Sequence, residues 1–368
     1  MATNSQFQHD HPVITAVRVR ALSVPLSTPL RTASGVMTVA PLLLFDIETN
    51  ANVRGVSYIF TYTPTVLAAT KQLAIDLSAL VVGQALAPLT LLTALRKRVK
   101  LIGSYGLIDM VLAGIDMALW DAWARHLRQP LVRVLGGTTA RPINAYASYG
   151  MDGVEQAGRN VMAAAEAGFK AVKIKIGYPT LKEDIAAVRT AHSASAGAVG
   201  IMVDYNQSLN VPEAITRCKA LDSEGLLWIE EPTDFDDNAG HARIAASIET
   251  PLQLGENLYG PRLIATSLRD GASDLMMPDL MKVGGVSGWI ETSAICAAQN
   301  VPVSNHFYQE VSIHMLAVTP TAHFLEYFAM ADPILVDPLR IVDGKAYAPD
   351  AEGNGMTWQE KAINRFIC

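Results

Sequence analysis

The chain is short of cysteine, of charge and of any basic excess, and each shortage closes off a class of function. Among its 368 residues there are three cysteines, Cys218, Cys296 and Cys368, none in CxxC or metal-ligand spacing. That argues against a disulfide framework or a thiolate zinc site and reads as free thiols of a reducing compartment, so the expected location is the cytoplasm. Charged residues make up 17% and the formal net charge is −6, so no basic stripe is available to hold a phosphate backbone. Nucleic acid is therefore not an expected partner. A membrane-length apolar run is missing as well. The nearest candidate, Leu77 to Leu95, carries no charge but is interrupted by Gly83, Gln84 and Pro88. It reads as one helix end, a turn at "VGQALAP" and the start of a second helix rather than a membrane span. The polar start "MATNSQFQHDHP" has no apolar core of the kind a secretory signal needs.

What is present is hydrophobic substance and a change of rhythm. Half the residues are hydrophobic, enough for a barrel of roughly 200–250 residues plus an accessory domain. Three strand patterns, "ITAVRVRALSVPL", "PLLLFDIETN" and "VRGVSYIFTYTP", come first, and a helical period follows to about residue 128. After Gly136-Gly137 short apolar strands alternate with amphipathic helices. Eight strand candidates lie at 143–149, 171–177, 200–206, 226–232, 252–257, 274–280, 301–307 and 323–328. Eight parallel strands at that spacing imply a modified (β/α)8, TIM-like barrel in an α/β protein. The expected layout is an N-terminal α+β capping domain (1–138), the barrel (139–328) and a C-terminal segment (329–368) that packs back on the cap.

The strand ends carry the chemistry. Asp204, Glu230 and Glu256 end three consecutive strands, each 26 residues after the last. At the C-terminal mouth of a barrel, three such carboxylates converge, and like charges in a low-dielectric site require a neutralising cation. An all-oxygen set suits a hard divalent ion, Mg²⁺ first, with Mn²⁺ as a substitute. In "AVKIKIGYP", alternation turns Val172, Ile174 and Ile176 one way and Lys173 and Lys175 the other, into the barrel. Burial beside a dication disfavours an ammonium ion, which would bring Lys175 toward the range of a base. His306 in "VPVSNHF" and Asp279 in "MPDL" end the seventh and sixth strands, and an aspartate so placed can orient an imidazole. Glu326 in "HFLEYF" closes the ring. Two bases around a metal suit removal of a proton next to a carboxylate, and glutamate 231, facing away from Glu230, reads as support.

Taken in order, "AVKIKIGYP", "IMVDYNQSL", "WIEEP", "GEN", "MPDLMKVGG", "SNHFYQE" and "TPTAHFLE" resemble the mandelate racemase branch of the enolase superfamily. The likeness extends to "APLLLFDIETN", "SYIFTYTP" and "AGIDMALWDAWARHL". It implies that Asp204, Glu230 and Glu256 bind Mg²⁺. Lys175 would be the base facing the S-enantiomer, with Lys173 beside it holding the substrate carboxylate. His306 would be the base for the R-enantiomer, Asp279 its partner, and Glu326 the acid that hydrogen-bonds the carboxylate as it becomes an enediolate. Ser148 and Asn206 would make polar contacts to substrate, and Phe60 and Tyr62 would reach from the cap over an aromatic ring. Where the family racemase offers small valines, this chain has Leu30 and Met37, which implies a larger, re-shaped pocket; Ile174 replaces a threonine between the lysines.

These features imply a Mg²⁺-dependent racemase of a 2-hydroxy carboxylate, mandelate or a related aryl acid, using two bases. The expected partner is a small carboxylate substrate, and the resemblance implies a homo-oligomer, an octamer in the family. A sugar-acid dehydratase of the same superfamily would use the same Lys/His pair and expel a 3-hydroxyl. A barrel retained only as a scaffold would leave a gap in the metal and base set, and the sequence has none.

Overall fold

The central strand of the first sheet must be apolar on both faces, and "PLLLFDI" is. The computed structural model, which describes residues 11–32 and 35–368, places it in β2 (Gly35–Thr49), between β1 (Ile14–Thr32) and β3 (Arg54–Phe60) in an antiparallel sheet. Pro41 to Ile47 are buried throughout because neighbours cover both faces. The long β1–β2 hairpin pairs Leu30 with Met37 near its far end. Helices α1 (Leu67–Ser78) and α2 (Pro88–Arg98) follow, with the expected turn between them and Pro88 in the first turn of the second. No helix among the described residues is long and apolar enough to cross a membrane. Helix α3 (Leu107–His126) is buried almost all round, against the cap sheet on one side and the barrel on the other. Gly55 on β3 permits this, because a Cβ there would lie 2.3 Å from the Ala118 carbonyl oxygen. A single helical turn, α4 (Leu131–Val134), leads to the barrel.

The barrel sheet runs in the order β10-β4-β5-β6-β7-β8-β9, all parallel. Its strands are β4 (Ile143–Ser148), β5 (Ala171–Lys175), β6 (Gly200–Asp204), β7 (Ile229–Glu230), β8 (Leu252–Leu254), β9 (Leu275–Met276) and β10 (Phe324–Tyr327). The connecting helices are α5 (Val154–Glu166), α6 (Leu181–Ala194), α7 (Val211–Leu221), α8 (Asn238–Ala245), α9 (Gly260–Arg269), α10 (Leu280–Val283), α11 (Gly285–Ala298) and α12 (Gln309–Val318). Local signals set their starts. Thr180 and Glu183 form a reciprocal capping box on α6, and Asn210 caps α7 before Pro212.

The seventh expected strand, 301–307, forms isolated bridges instead of a regular strand. It still closes the ring: Ser304 N–H donates to Met276 O at 2.9 Å, and Val303 N–H to Thr321 O at 2.8 Å. Prolines explain the short ladders, since Pro278 and Pro302 have no N–H to give, though their carbonyls accept from His306 and Met276. The last strand leads to no eighth helix. The C-terminal segment instead adds β11 (Lys345–Ala346) antiparallel to β4 and ends in α13 (Glu360–Phe366) against β1. Buried Asp46 gathers Arg20 at 2.8 Å and the Trp358 indole N–H at 2.8 Å, and Arg20 reaches Glu360 at 2.7 Å.

A buried histidine fastens the three parts. His314 on α12 accepts the Val132 N–H at Nδ1 (3.2 Å), so its proton sits on Nε2, which donates to Asn354 O at 3.1 Å. Asn354 in turn donates to Val56 O (2.9 Å) and, through its N–H, to Asp121 (2.6 Å). Burial holds the imidazole down at about 4, because protonation at Nδ1 would face an N–H donor. An unfolded histidine titrates near 6.5, so the unfolded chain binds more protons between these values and stability is lost as pH falls through them. At 1.36 kcal/mol per unit the loss reaches about 3 kcal/mol. The stability difference between wild type and His314→Gln, measured by urea denaturation, should therefore shrink by about that amount from about pH 7 to about pH 4; a gap that stays constant refutes the clasp.

Candidate active site

At three strand ends a side chain is placed at the mouth and the backbone then turns away. Asn206 (φ +45°), Glu231 (φ +36°) and Phe307 (φ +50°) are left-handed and directly follow, or lie two after, Asp204, Glu230 and His306. Such backbone costs of order 1–3 kcal/mol per residue and clusters where a fold fixes functional groups. Asp204, Glu230 and Glu256 are buried, and one oxygen from each lies within 4.8 Å of the others. Their second oxygens are held: Asn206 N–H donates to Asp204 Oδ1 at 2.7 Å, and the Trp228 indole and Gln253 amide donate to Glu230 Oε2 at 3.1 and 3.2 Å. Glu256 Oε2 is buried and receives no hydrogen bond, with His306 Nε2 3.3 Å away. An all-oxygen triad with an unsatisfied buried oxygen fits Mg²⁺.

Register on β5 puts Lys175 beside Asp204, and the Lys173 side chain reaches past β6 to Glu230, with its Nζ also 3.1 Å from Glu326 Oε1. Burial lowers the proton affinity of both ammonium groups, but the carboxylates outweigh it: Lys173 is held well above the usual lysine range and Lys175 is raised. The sequence reading expected Lys175 to be lowered. That expectation counted a dication's charge; the protein's own groups make Lys175 the counter-ion of Asp204, and a dication at the triad would compete with the ammonium for it. Burial pushes the Glu230 carboxyl up to about 8 despite Lys173, and Glu256, though buried, is held at about 2 by His306 and the lysines.

On the other wall, His306 Nδ1 lies 2.7 Å from Asp279 Oδ2, whose Oδ1 accepts the Met281 N–H at 2.6 Å at the start of α10. Burial lowers the imidazole, but Glu256 and Asp279 raise it above its usual value. Glu326 accepts the Phe307 N–H at 3.0 Å; burial opposes its ionisation, yet Lys173 and His306 hold it below the usual carboxylate range. Lys175 and His306 stand three strand positions apart, by way of β4 and β10.

A cavity of about 600 Å³ gathers the remaining residues singled out in the sequence. Lys175, Glu256, His306, Glu326, Ser148 and Asn206 line its barrel side, and Leu30, Met37, Phe60 and Tyr62 line its cap side. Lys173, Asp204, Glu230 and Asp279 lie buried beneath. The sequence reading missed Lys282, which sits over the Tyr62 ring (4.7 Å to its centroid) and donates to Asn257, itself bonded to Glu231 at 2.7 Å and Glu256 at 3.2 Å. Its signal was present: Lys282 is three residues after Asp279 in "PDLMK", one helical turn along the same face.

Residues 156–362 match the enolase C-terminal domain-like family, and residues 14–136 match the mandelate racemase / muconate lactonizing enzyme N-terminal domain. The chain belongs to the enolase superfamily. Among solved structures of this superfamily, an enolase from Bradyrhizobium complexed with magnesium and mandelic acid is 40% identical, with a TM-score of 0.94 over 98% of this chain and 99% of that one. An L-talarate dehydratase from Polaromonas complexed with magnesium and L-glucarate is 27% identical, with a TM-score of 0.90 over 97% and 98%. The L-talarate/galactarate dehydratase of Salmonella typhimurium is 32% identical over 71% of this chain and 66% of that protein's length. The superfamily assignment makes the chain a magnesium-dependent enzyme. Replacing Glu256 with Gln should therefore weaken Mg²⁺ binding in calorimetric titration roughly tenfold or more while leaving thermal unfolding intact, since barrel strand ends carry function more than stability. Unchanged Mg²⁺ affinity would remove Glu256 from the metal site.

Proposed function

We propose that this enzyme moves a proton at the α-carbon of a 2-hydroxy monocarboxylate and that racemisation is its outcome. The observation that carries the reading is the pairing of Lys175 and His306 in one cavity under a cover of Leu30, Met37, Phe60 and Tyr62 that brings no formal charge. An aryl side chain matches that cover, and the mandelic-acid-bound neighbour supports it. Bound magnesium supplies positive charge at the substrate carboxylate and so makes the α-proton more acidic.

The chain's own residues supply the rest. Lys173 and Ser148 orient the carboxylate, and Lys175 Nζ takes the proton from the S face. His306, kept protonated by Glu256 and Asp279, delivers one to the R face. In the reverse direction the roles exchange. Glu326 is held ionised by Lys173 and His306, so it donates to the substrate carboxylate only after taking up a proton as the substrate enters. The aromatic cover limits water at the reacting carbon.

Dehydration of a sugar acid is the second reading. Taken alone, the relatives favour it over racemisation, because the talarate/galactarate dehydratase and the L-glucarate complex both belong to that chemistry. The same pair would serve, Lys175 or His306 taking the α-proton and the other, protonated, giving a proton to the departing 3-hydroxyl.

Single enantiomers of mandelate and of sugar acids, incubated with the magnesium-loaded enzyme in D₂O, separate the two readings. Racemisation gives α-deuterium with inversion, and elimination gives a 2-keto acid. With the racemase reading, His306→Asn stops racemisation while Lys175 still exchanges the S α-proton, and Lys175→Arg abolishes that exchange, since a guanidinium does not release its proton here. Wild-type racemisation by the His306→Asn variant would sink the two-base scheme, and a keto acid without racemisation would put dehydration first.

A further inference from the structure

Beside the catalytic cavity lies a second hollow of about 210 Å³, and the two share Leu30, Ser148 and Phe328 as a common wall. The hollow lies between the strand end of β4, the end of β10 and the irregular stretch of β1 where pairing with β2 lapses between Pro25 and Leu30. Its inner wall is apolar and aromatic: Leu26, Leu30, Phe169, Tyr327 and Phe328, with the Phe169 and Tyr327 rings edge to face at 5.9 Å. Its rim is polar, made by Ser27, Thr28 and Asp152. Among the described residues, neither arginine, lysine nor histidine lines it.

From these contacts we infer that the hollow is a side-chain subsite: it takes an apolar extension of the substrate that passes Leu30 and Phe328 from the reacting carbon. The inference rests on the proposed 2-hydroxy monocarboxylate chemistry and names the substrate class more closely. The ligand is an aryl 2-hydroxy acid bearing an apolar group on the ring, longer than mandelate itself. The wall residues suit hydrocarbon, while the Asp152 carboxylate at the rim, with no basic side chain among the described residues that line the hollow, repels a second carboxylate. A dicarboxylic sugar acid would place its distal charge against that rim or against the uncharged cover of the main cavity. Ser27 and Thr28 set the outer limit, where a polar end of the extension can meet water.

The test compares mandelate, para-propyl mandelate, para-phenyl mandelate and galactarate on the magnesium-loaded wild-type enzyme, by calorimetric Kd and by α-proton exchange in D₂O. Each methylene that enters the hollow should tighten binding roughly fourfold. Both substituted acids should therefore bind at least tenfold more tightly than mandelate, and galactarate more weakly than all three. Ala329 lies exposed at the rim, and Ala329→Trp should remove the advantage of the substituted acids while changing mandelate binding less than twofold. Substituted acids that bind no better than mandelate, or whose advantage survives Ala329→Trp, overturn the subsite. The exchange measurement is independent: tighter binding of the substituted acids with no α-exchange from any of the acids would leave the subsite standing and defeat the proposed reaction.

Discussion

The barrel mouth is built around a charge imbalance. Six buried carboxylates, Asp204, Glu230, Glu231, Glu256, Asp279 and Glu326, share it with Lys173, Lys175, Lys282 and His306. Ionising every acid in a low-dielectric volume is prohibitive unless each negative charge meets a positive one. The protein answers in two ways. Some acids are paired with lysine or imidazole, and two, Glu230 and Glu231, are pushed by burial toward their neutral forms. A dication at the triad would complete the balance and would compete with Lys175 for Asp204. Metal binding and the proton affinity of Lys175 are thus two views of one electrostatic constraint.

The rest of the fold keeps that cluster dry and fixed. Most of these charged side chains sit at strand ends, and after Asp204, Glu230 and His306 left-handed residues carry the chain outward. Asp116 on α3 accepts from Ser287 at 2.6 and 2.9 Å, and the Trp120 indole donates to the same hydroxyl, so the cap is joined to the barrel by buried polar contacts. Unmade, those contacts would leave buried groups unsatisfied, which favours one docking geometry over looser alternatives.

Much of this was legible in the sequence because it follows from period. Alternation in "AVKIKIG" turns both lysines inward, and the equal spacing of Asp204, Glu230 and Glu256 is the βα repeat itself. Turn chemistry at "VGQALAP" separated two helices and put Pro88 at the start of the second. What escaped depends on partners far apart in the chain. The seventh strand looked regular by composition, yet prolines in it and in its neighbour leave only bridges. The proton affinity of Lys175 had the opposite sign because it is decided by Asp204 across the strand pair. His314 reads as one more apolar-face histidine on α12, and only the meeting of Val132, Asn354 and α12 gives its tautomer a purpose. Lys282 was visible as a letter, but its reach to Asn257 and Tyr62 belongs to the assembled mouth.

The hairpin over the mouth is anchored by main chain. Met151 N–H donates to Arg31 O at 2.8 Å, and Gly150 lies so close that a Cβ there would be 2.8 Å from Arg31 N. Neither contact depends on which side chain residue 31 or its hairpin neighbours carry. Closure is therefore insensitive to sequence at the hairpin positions that line the cavity, while the single glycine that permits it is not replaceable without displacing the hairpin. Leu30 and Met37 can be replaced, and the shape of the cavity with them, without loosening the cover. A scaffold of this kind lets point substitution re-shape the cavity while the buried acidic and basic side chains stay under a fixed roof.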